Sequence, residues 1–264
     1  MRRTRILSCT VGLVLSSCGP ADQPLDDELA RVNIKEGTPA DEFPTACMID
    51  IFNRDGKLVS FCSGALIAPG AVLTAGHCVA GFHSFRVYCP YLHRESVGTG
   101  EACPSYHVGL AGTIAPTSDD IGLVFLDARI PARYPVLRST QLPDDTLVVN
   151  VGRVRDGVVS KTEMYRSAPV RIRDGRSINF PRYYVSVDKI QNGDSGGPTY
   201  RYQGPVPELV AVNSGAGGGI AVLARVDLAL DWIRNRVSAR SGWSLPPGYQ
   251  PLTPRPPSPV DLSR

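Results

Sequence analysis

Three short stretches carry residues that could do chemistry. In "QNGDSGGPTY" (191–200) Ser195 sits between an aspartate and two glycines, and a proline closes the run. Asn, Gly, Asp and Ser also build tight turns, so this peptide alone leaves a surface turn and a nucleophile's setting equally open. "LTAGHCV" (73–79) places His77 straight after an apolar run and beside a cysteine, and "TSDDIGLVFLD" (117–127) places Asp119 and Asp120 at the mouth of another. A lone histidine is usually structural, and acidic pairs before strands are commonly turn residues. Together, however, the three describe one mechanism. A serine hydroxyl is a poor nucleophile until a histidine takes its proton, and the histidine needs a carboxylate to fix its tautomer and stabilise the imidazolium. His77, Asp120 and Ser195 lie 43 and 75 residues apart, each at the end of an expected strand, where a fold can gather them. "GDSGG" also fits the G-x-S-x-G elbow, but that fold needs Ser, then acid, then His. All four histidines here precede Ser195, which excludes the elbow.

The elements that must position this trio are short and β-rich. "ACMIDIF", "LVSFCSGALIA", "AVLTAG", "FRVYCP" and "IGLVFLD" are separated by turn residues such as "NRDGK" and "APG". A second series follows: "TLVVNVGRV", "APVRIR", "RYYVSV", "ELVAVNSG" and "GIAVLARV". The one helical pattern is "DLALDWIRNRVSAR" (227–240), with Leu228, Trp232, Ile233 and Val237 on one face. Two β-rich halves followed by a helix indicate an all-β sandwich or barrel architecture. The stretch "LPPGYQPLTPRPPSPVDLSR" has seven prolines in twenty residues and is expected to be extended, not packed.

The formal charge of +3 comes from Arg2, Arg3 and Arg5; without the first seventeen residues it is zero. No polyanion-binding patch remains, so nucleic acid is not an expected partner. The same three arginines precede an apolar run, Ile6 to Leu15, too short to span a bilayer, and residues 1–17 read as a secretory signal. "LSSC" at 15–18 resembles the bacterial lipobox, in which Cys18 would carry lipid; the alternative is ordinary cleavage and secretion. Either way the mature protein is expected outside the cytoplasm, with residues 18–33 as a tether or pro-segment. Export makes disulfides plausible. Cys47, Cys62, Cys78, Cys89 and Cys103 remain, an odd number whose pairing spacing alone does not give.

The pieces "FCSGALIAPGAVLTAGHC", "DDIGLVFLD", "NGDSGGP", "VNSG" and "ARV" followed by "DWI" resemble the chymotrypsin-type, trypsin-like serine proteases, in that family's order, over about 34–242. The resemblance implies two six-stranded antiparallel barrels with a site in the crevice between them; the helical pattern and the proline content place a C-terminal helix and then a proline-rich disordered tail over 243–264 after them. It implies His77 as general base, Asp120 as its orienting partner and Ser195 as nucleophile. The N–H groups of Gly193 and Ser195 would form the oxyanion hole, and Ser214 would support the acid. Cys62 and Cys78 match the disulfide beside the histidine; Cys89 with Cys103 is then the expected second bridge, leaving Cys47 unassigned. Neither metal nor cofactor is implied. A monomer acting on polypeptides is expected.

The sequence departs from the family in three places. Zymogens of the family are cut before an Ile-Val-Gly-Gly type sequence, and the new ammonium pairs with the aspartate before the serine. Here the segment is "NIKEGTPADEFP", making Ile34 the new terminus and Asp194 its partner. Six residues before the nucleophile, at the floor of the specificity pocket, stands Lys189. A basic floor repels lysine and arginine; it either attracts acidic P1 residues or is neutralised by Asp188, leaving a small nonspecific pocket. Trypsin-like cleavage is not expected. Gln191 replaces a cysteine that commonly bridges toward the pocket wall, and the wall itself, Gly215 to Gly219, is glycine-rich without the usual aromatic residue. Two readings follow: an exported serine endopeptidase, or a catalytically silent relative that binds protein. The intact trio favours the enzyme.

Overall fold

The structure is a computed structural model that describes residues 37–201 and 206–245. The signal segment 1–17, Cys18, the tether 18–33, Ile34 and the tail from 246 onward lie outside the described residues.

The first half is a closed barrel of six strands: β1 (Ala46–Phe52), β2 (Leu58–Ala68), β3 (Ala71–Thr74), β4 (Ser84–Cys89), β5 (Arg94–Ala102) and β6 (Gly122–Leu126). Every pairing is antiparallel, in the ring order β1-β2-β3-β6-β5-β4. All five runs read from sequence in this half coincide with strands to within two residues, because they alternate or cluster β-branched and aromatic side chains between turn residues. β5, "RESVGTGEA", is polar and glycine-containing, and its period-2 signal is weak. It earns its place by closing the ring: a Cβ on Gly98 would meet the Phe125 carbonyl carbon at 2.9 Å, so only glycine allows β5 and β6 this close.

The second half is built on β7 (Leu147–Gly152), β8 (Tyr183–Val187), β9 (Pro198–Arg201), β10 (Glu208–Gly217) and β11 (Ile220–Arg225), paired in the order β7-β9-β10-β11-β8. Two-residue strands extend this sheet to ten strands in all, among them Thr38–Pro39, which reaches it through Tyr165–Arg166. Among the described residues its ladder runs as an open path, whereas the first barrel closes into a ring. The glycine-rich wall turns out to be a hairpin. β10 and β11 are joined by Gly218 and Gly219, both at positive φ (61° and 81°), as a two-residue turn needs.

The C-terminal helix is Leu230–Ser241, three residues shorter at its start than the pattern suggested. Its buried stripe is Leu230, Ile233 and Val237, so Leu228 belongs to the approach and not to the helix face. Gly242 ends it in the left-handed conformation.

The disulfides are Cys62–Cys78 and Cys47–Cys89, with Cys103 free and buried. The first agrees with the family resemblance. The second corrects the Cys89–Cys103 expectation. β1 and β4 are neighbours with Met48 opposite Tyr88, which sets Cys47 across from Cys89. β5 meanwhile runs away from Cys89 and delivers Cys103 to the other end of the barrel, where its N–H donates to the Ile121 carbonyl. Two disulfides suit an oxidising, exported setting. Among the described residues no helix is long and apolar enough to cross a membrane.

Candidate active site

Strand pairing places the histidine and the acid side by side. β3 pairs with β6 so that Thr74 faces Gly122. Three residues beyond Thr74, in a one-turn helix Gly76–Val79, comes His77; two residues before Gly122 comes Asp120. Two glycines let this helix lie flat. A Cβ on Gly122 would meet Val79 Cγ2 at 2.6 Å, and one on Gly76 would meet the Tyr106 ring at 2.7 Å. The Cys62–Cys78 bridge ties the helix to β2.

Asp120 is buried and fully engaged. Its Oδ1 accepts from the His77 backbone N–H at 2.8 Å, and its Oδ2 lies 2.8 Å from His77 Nδ1 and accepts from Ser214 Oγ at 2.5 Å. This fixes the ring so that Nε2 is left for another partner. The His77 side chain is 26% exposed. Burial works against its protonated form, but the charge and hydrogen bond of Asp120 outweigh burial and hold its pKa above the ordinary value of 6.5. Burial pushes Asp120 the other way, yet the His77 charge and the bonds from His77 and Ser214 keep it below the usual carboxylate value.

Ser195 arrives from the second half. Its carbonyl accepts from the Ser63 N–H at 2.8 Å and stands 3.7 Å from Cys78 Sγ, beside His77. Its turn is bolted down on both sides. Ser63 Oγ donates to the Gly193 carbonyl at 2.9 Å, and the Gly196 N–H donates to the Asn213 carbonyl at 2.7 Å. The Asn213 amide donates to the carbonyls of Val151 (3.0 Å) and Asp194 (3.2 Å). Gly193 and Gly196 take φ of 109° and 77°, which a side chain would strain. At Gly196 a Cβ would also come within 2.5 Å of the Ser63 carbonyl and 2.7 Å of Ala75 N. The glycines are what allow the serine turn to press against β2 and β3.

With a buried carboxylate on an imidazole, and a half-exposed serine on a braced turn whose carbonyl reaches the neighbouring Cys78, the arrangement has the parts for acyl transfer. A family model described as Trypsin matches residues 34–233. The chain belongs to the trypsin family. Glucanase inhibitor protein 3 of Phytophthora infestans is 26% identical over 202 residues, which is 67% of this chain and 78% of that protein. HL collagenase superimposes with a TM-score of 0.63 at 18% identity, covering 76% of this chain and 96% of that one. The scabies mite inactivated protease paralogue S-D1 superimposes with a TM-score of 0.60 at 15% identity, covering 77% and 96%. These two show a shared fold.

In this trypsin-family chain Asp194 is wholly buried. Its Oδ1 accepts from the Val154 N–H and its Oδ2 from the Gln191 N–H, each at 2.9 Å. Burial dominates and raises its pKa to about 7, against these N–H groups and the nearby Arg153 charge. A Cβ on Gly152 would meet the Asp194 Cβ at 2.7 Å, so the niche is cut to fit the carboxylate. Lys189 is half-buried, in a segment anchored by the Asp188 N–H donating to the Gly219 carbonyl at 3.0 Å. That bond sets Lys189 opposite the hairpin carrying Gly215. Burial raises the Asp188 pKa, and the positive charge of Lys189 opposes that rise.

Several partners at this site carry no signal in the sequence. Ser63 braces the serine turn, and Tyr106 and Tyr183 line a shallow cleft beside His77 and Asp120. Arg153, only 2% exposed, donates Nη1 to Asp50 Oδ1 at 2.8 Å across the two halves. Each is a contact between distant segments, and no local pattern announces it. Cys62, His77 and Cys78 also converge, but the two sulfurs are bonded to each other and offer no thiolate to a metal.

Proposed function

We propose that the protein is an exported serine endopeptidase working through an acyl-enzyme. His77 is the general base toward Ser195, Asp120 orients the imidazole with Ser214 behind it, and the N–H groups of Gly193 and Ser195 receive the oxyanion. Loss of one such donor lowers the rate roughly 10²–10³-fold in comparable chemistry. The observation that carries this reading is the Ser214–Asp120–His77 hydrogen-bond chain, with the braced Ser195 turn packed beside it. A protein that only binds has no chemical use for that chain.

Lys189 and Gly215 flank the substrate side chain, and Lys189 disfavours basic P1 residues. Activation by a cut before Ile34 supplies an ammonium for the buried Asp194. Cys18, if acylated, anchors the enzyme to a membrane; otherwise it is secreted. Its substrate is polypeptide, with no nucleic-acid partner, and it acts as a monomer.

The test is digestion of a mixed peptide pool by the mature protein, with the new termini read by mass spectrometry against Ser195→Ala. Cleavage that disappears in the variant and avoids Lys and Arg at P1 supports the reading. Cleavage of P1 Glu or Asp no faster than P1 Ala would remove acidic specificity. A second reading, a silent relative that binds protein, draws on Lys189 at the pocket floor and on relatives named as an inhibitor and an inactivated paralogue. It predicts no cleavage of any peptide, even after trimming to Ile34.

A further inference from the structure

Asp119 and Asp120 are adjacent, both buried, and only Asp120 has a part in the mechanism above. Asp119 turns to a different partner. Arg182, immediately before β8 in the second half, donates Nε to Asp119 Oδ1 at 2.7 Å and Nη2 to Oδ2 at 2.5 Å. Ser105 Oγ adds a third bond, to Oδ2 at 2.5 Å. A fork onto a carboxylate is the strongest and most directional geometry an arginine makes. The next residue, Tyr183, keeps step. It lines the cleft with His77 and Asp120 and donates its hydroxyl to the Ala115 carbonyl at 3.2 Å. The dipeptide 182–183 thus meets the dipeptide 119–120 across the two halves. The Arg182 carbonyl is itself held at 3.3 Å by the Arg225 N–H, on the β8–β11 frame.

We propose that Arg182 is a positioning residue for the His77–Asp120 pair: it cancels the charge of Asp119, so that the imidazole faces one net carboxylate, and it pins the Asp119–Asp120 corner to the second half. A bare Asp119 would place a second negative charge next to the acid that His77 already pairs with, inside a poorly solvated corner where charge acts over distance. The other titratable groups facing His77 are Asp120, to which it is bonded, and Tyr106, His107 and Tyr183, which share the cleft. None of these supplies the positive charge that Asp119 needs; Arg182 does.

The consequence for catalysis rests on the endopeptidase reading, but the consequence for His77 does not. The imidazole of His77 is therefore titrated by NMR in the wild-type protein, R182Q, D119N and the double variant. R182Q leaves an unpaired carboxylate and should raise the His77 pKa by about half a unit or more. D119N leaves an unpaired guanidinium and should lower it by a similar amount. The double variant should return to the wild-type value, and R182K, which keeps the charge but loses the fork, should stay near it. If peptide cleavage is present, the acid limb of kcat/KM moves with these values. Two single variants that shift His77 in the same direction, or a double variant that fails to restore it, would overturn the inference. Should R182Q fail to fold, D119N still decides by the sign of its shift, and a downward shift there with R182K near wild type supports the inference while an upward one overturns it. An inert wild-type protein that nevertheless shows the opposed shifts would sink the endopeptidase reading and leave this inference standing.

Discussion

Replacing Asp194 by asparagine should change how stability depends on pH. In the folded protein burial raises this carboxyl to about 7, whereas an unfolded aspartate titrates at 3.8. Between those values the folded state holds a proton that the unfolded state has released. Stability is therefore greatest at low pH and declines as pH rises toward and through about 7, opposite to the common carboxylate case. Integrated between pH 5 and 7.5, these two values give a loss of about 2.5 kcal/mol from this one group. His77, whose folded pKa is also raised, contributes a loss of the same sign, so the asparagine variant must be compared with wild type, not examined alone. The assay is urea unfolding at both pH values. The difference between wild-type stabilities at pH 5 and 7.5 should exceed that of Asp194→Asn by roughly 2 kcal/mol. Asparagine offers one acceptor oxygen where Asp194 uses two, so the variant is also weaker at pH 5, but by an amount that cancels in the comparison. A chain trimmed to begin at Ile34 should show a smaller decline, because an ammonium beside the carboxylate lowers its pKa. Equal pH dependence in wild type and Asp194→Asn would refute the account of this niche.

Three further outcomes follow from the geometry. Gly196→Ala, which needs positive φ and drives a Cβ into the Ser63 carbonyl and Ala75 N, should destabilise by about 3 kcal/mol or more, read as a lower urea midpoint. Asp50→Asn leaves the buried Arg153 guanidinium without its carboxylate and should cost about 3 kcal/mol in the same assay; a loss below a few tenths would mean the pair is solvated. Ser214→Ala removes one of the bonds that keep Asp120 ionised, so kcat/KM for a cleaved peptide should fall about tenfold, with its acid limb shifted and KM little changed.

The strands that frame the site were legible because their side chains are β-branched or aromatic between turn residues, as in "ACMIDIF" and "LVSFCSGALIA". His77 and Asp120 stood out because each borders such a run, and Ser195 because of its setting in "NGDSGGP". β5 was not, since "RESVGTGEA" is defined by what it pairs with and not by its own composition. The cysteine pairing failed for the same reason. Cys89 and Cys103 are close in sequence, but β5 carries the chain the length of the barrel between them, while Cys47 lies on the neighbouring strand. Asp119 illustrates a subtler limit. As a residue before a strand it reads as a turn former, and only the fold reveals an arginine 63 residues away that forks onto it.

The claim at the centre of this account is that Ser195 is an activated nucleophile. Covalent labelling of the mature protein with a fluorophosphonate tests it most directly, because the reagent needs an activated serine and makes little demand on the specificity pocket. The account predicts stoichiometric labelling that is lost in Ser195→Ala. Failure to label, even in a chain trimmed to Ile34, would contradict it and leave the fold to a protein that binds without cutting.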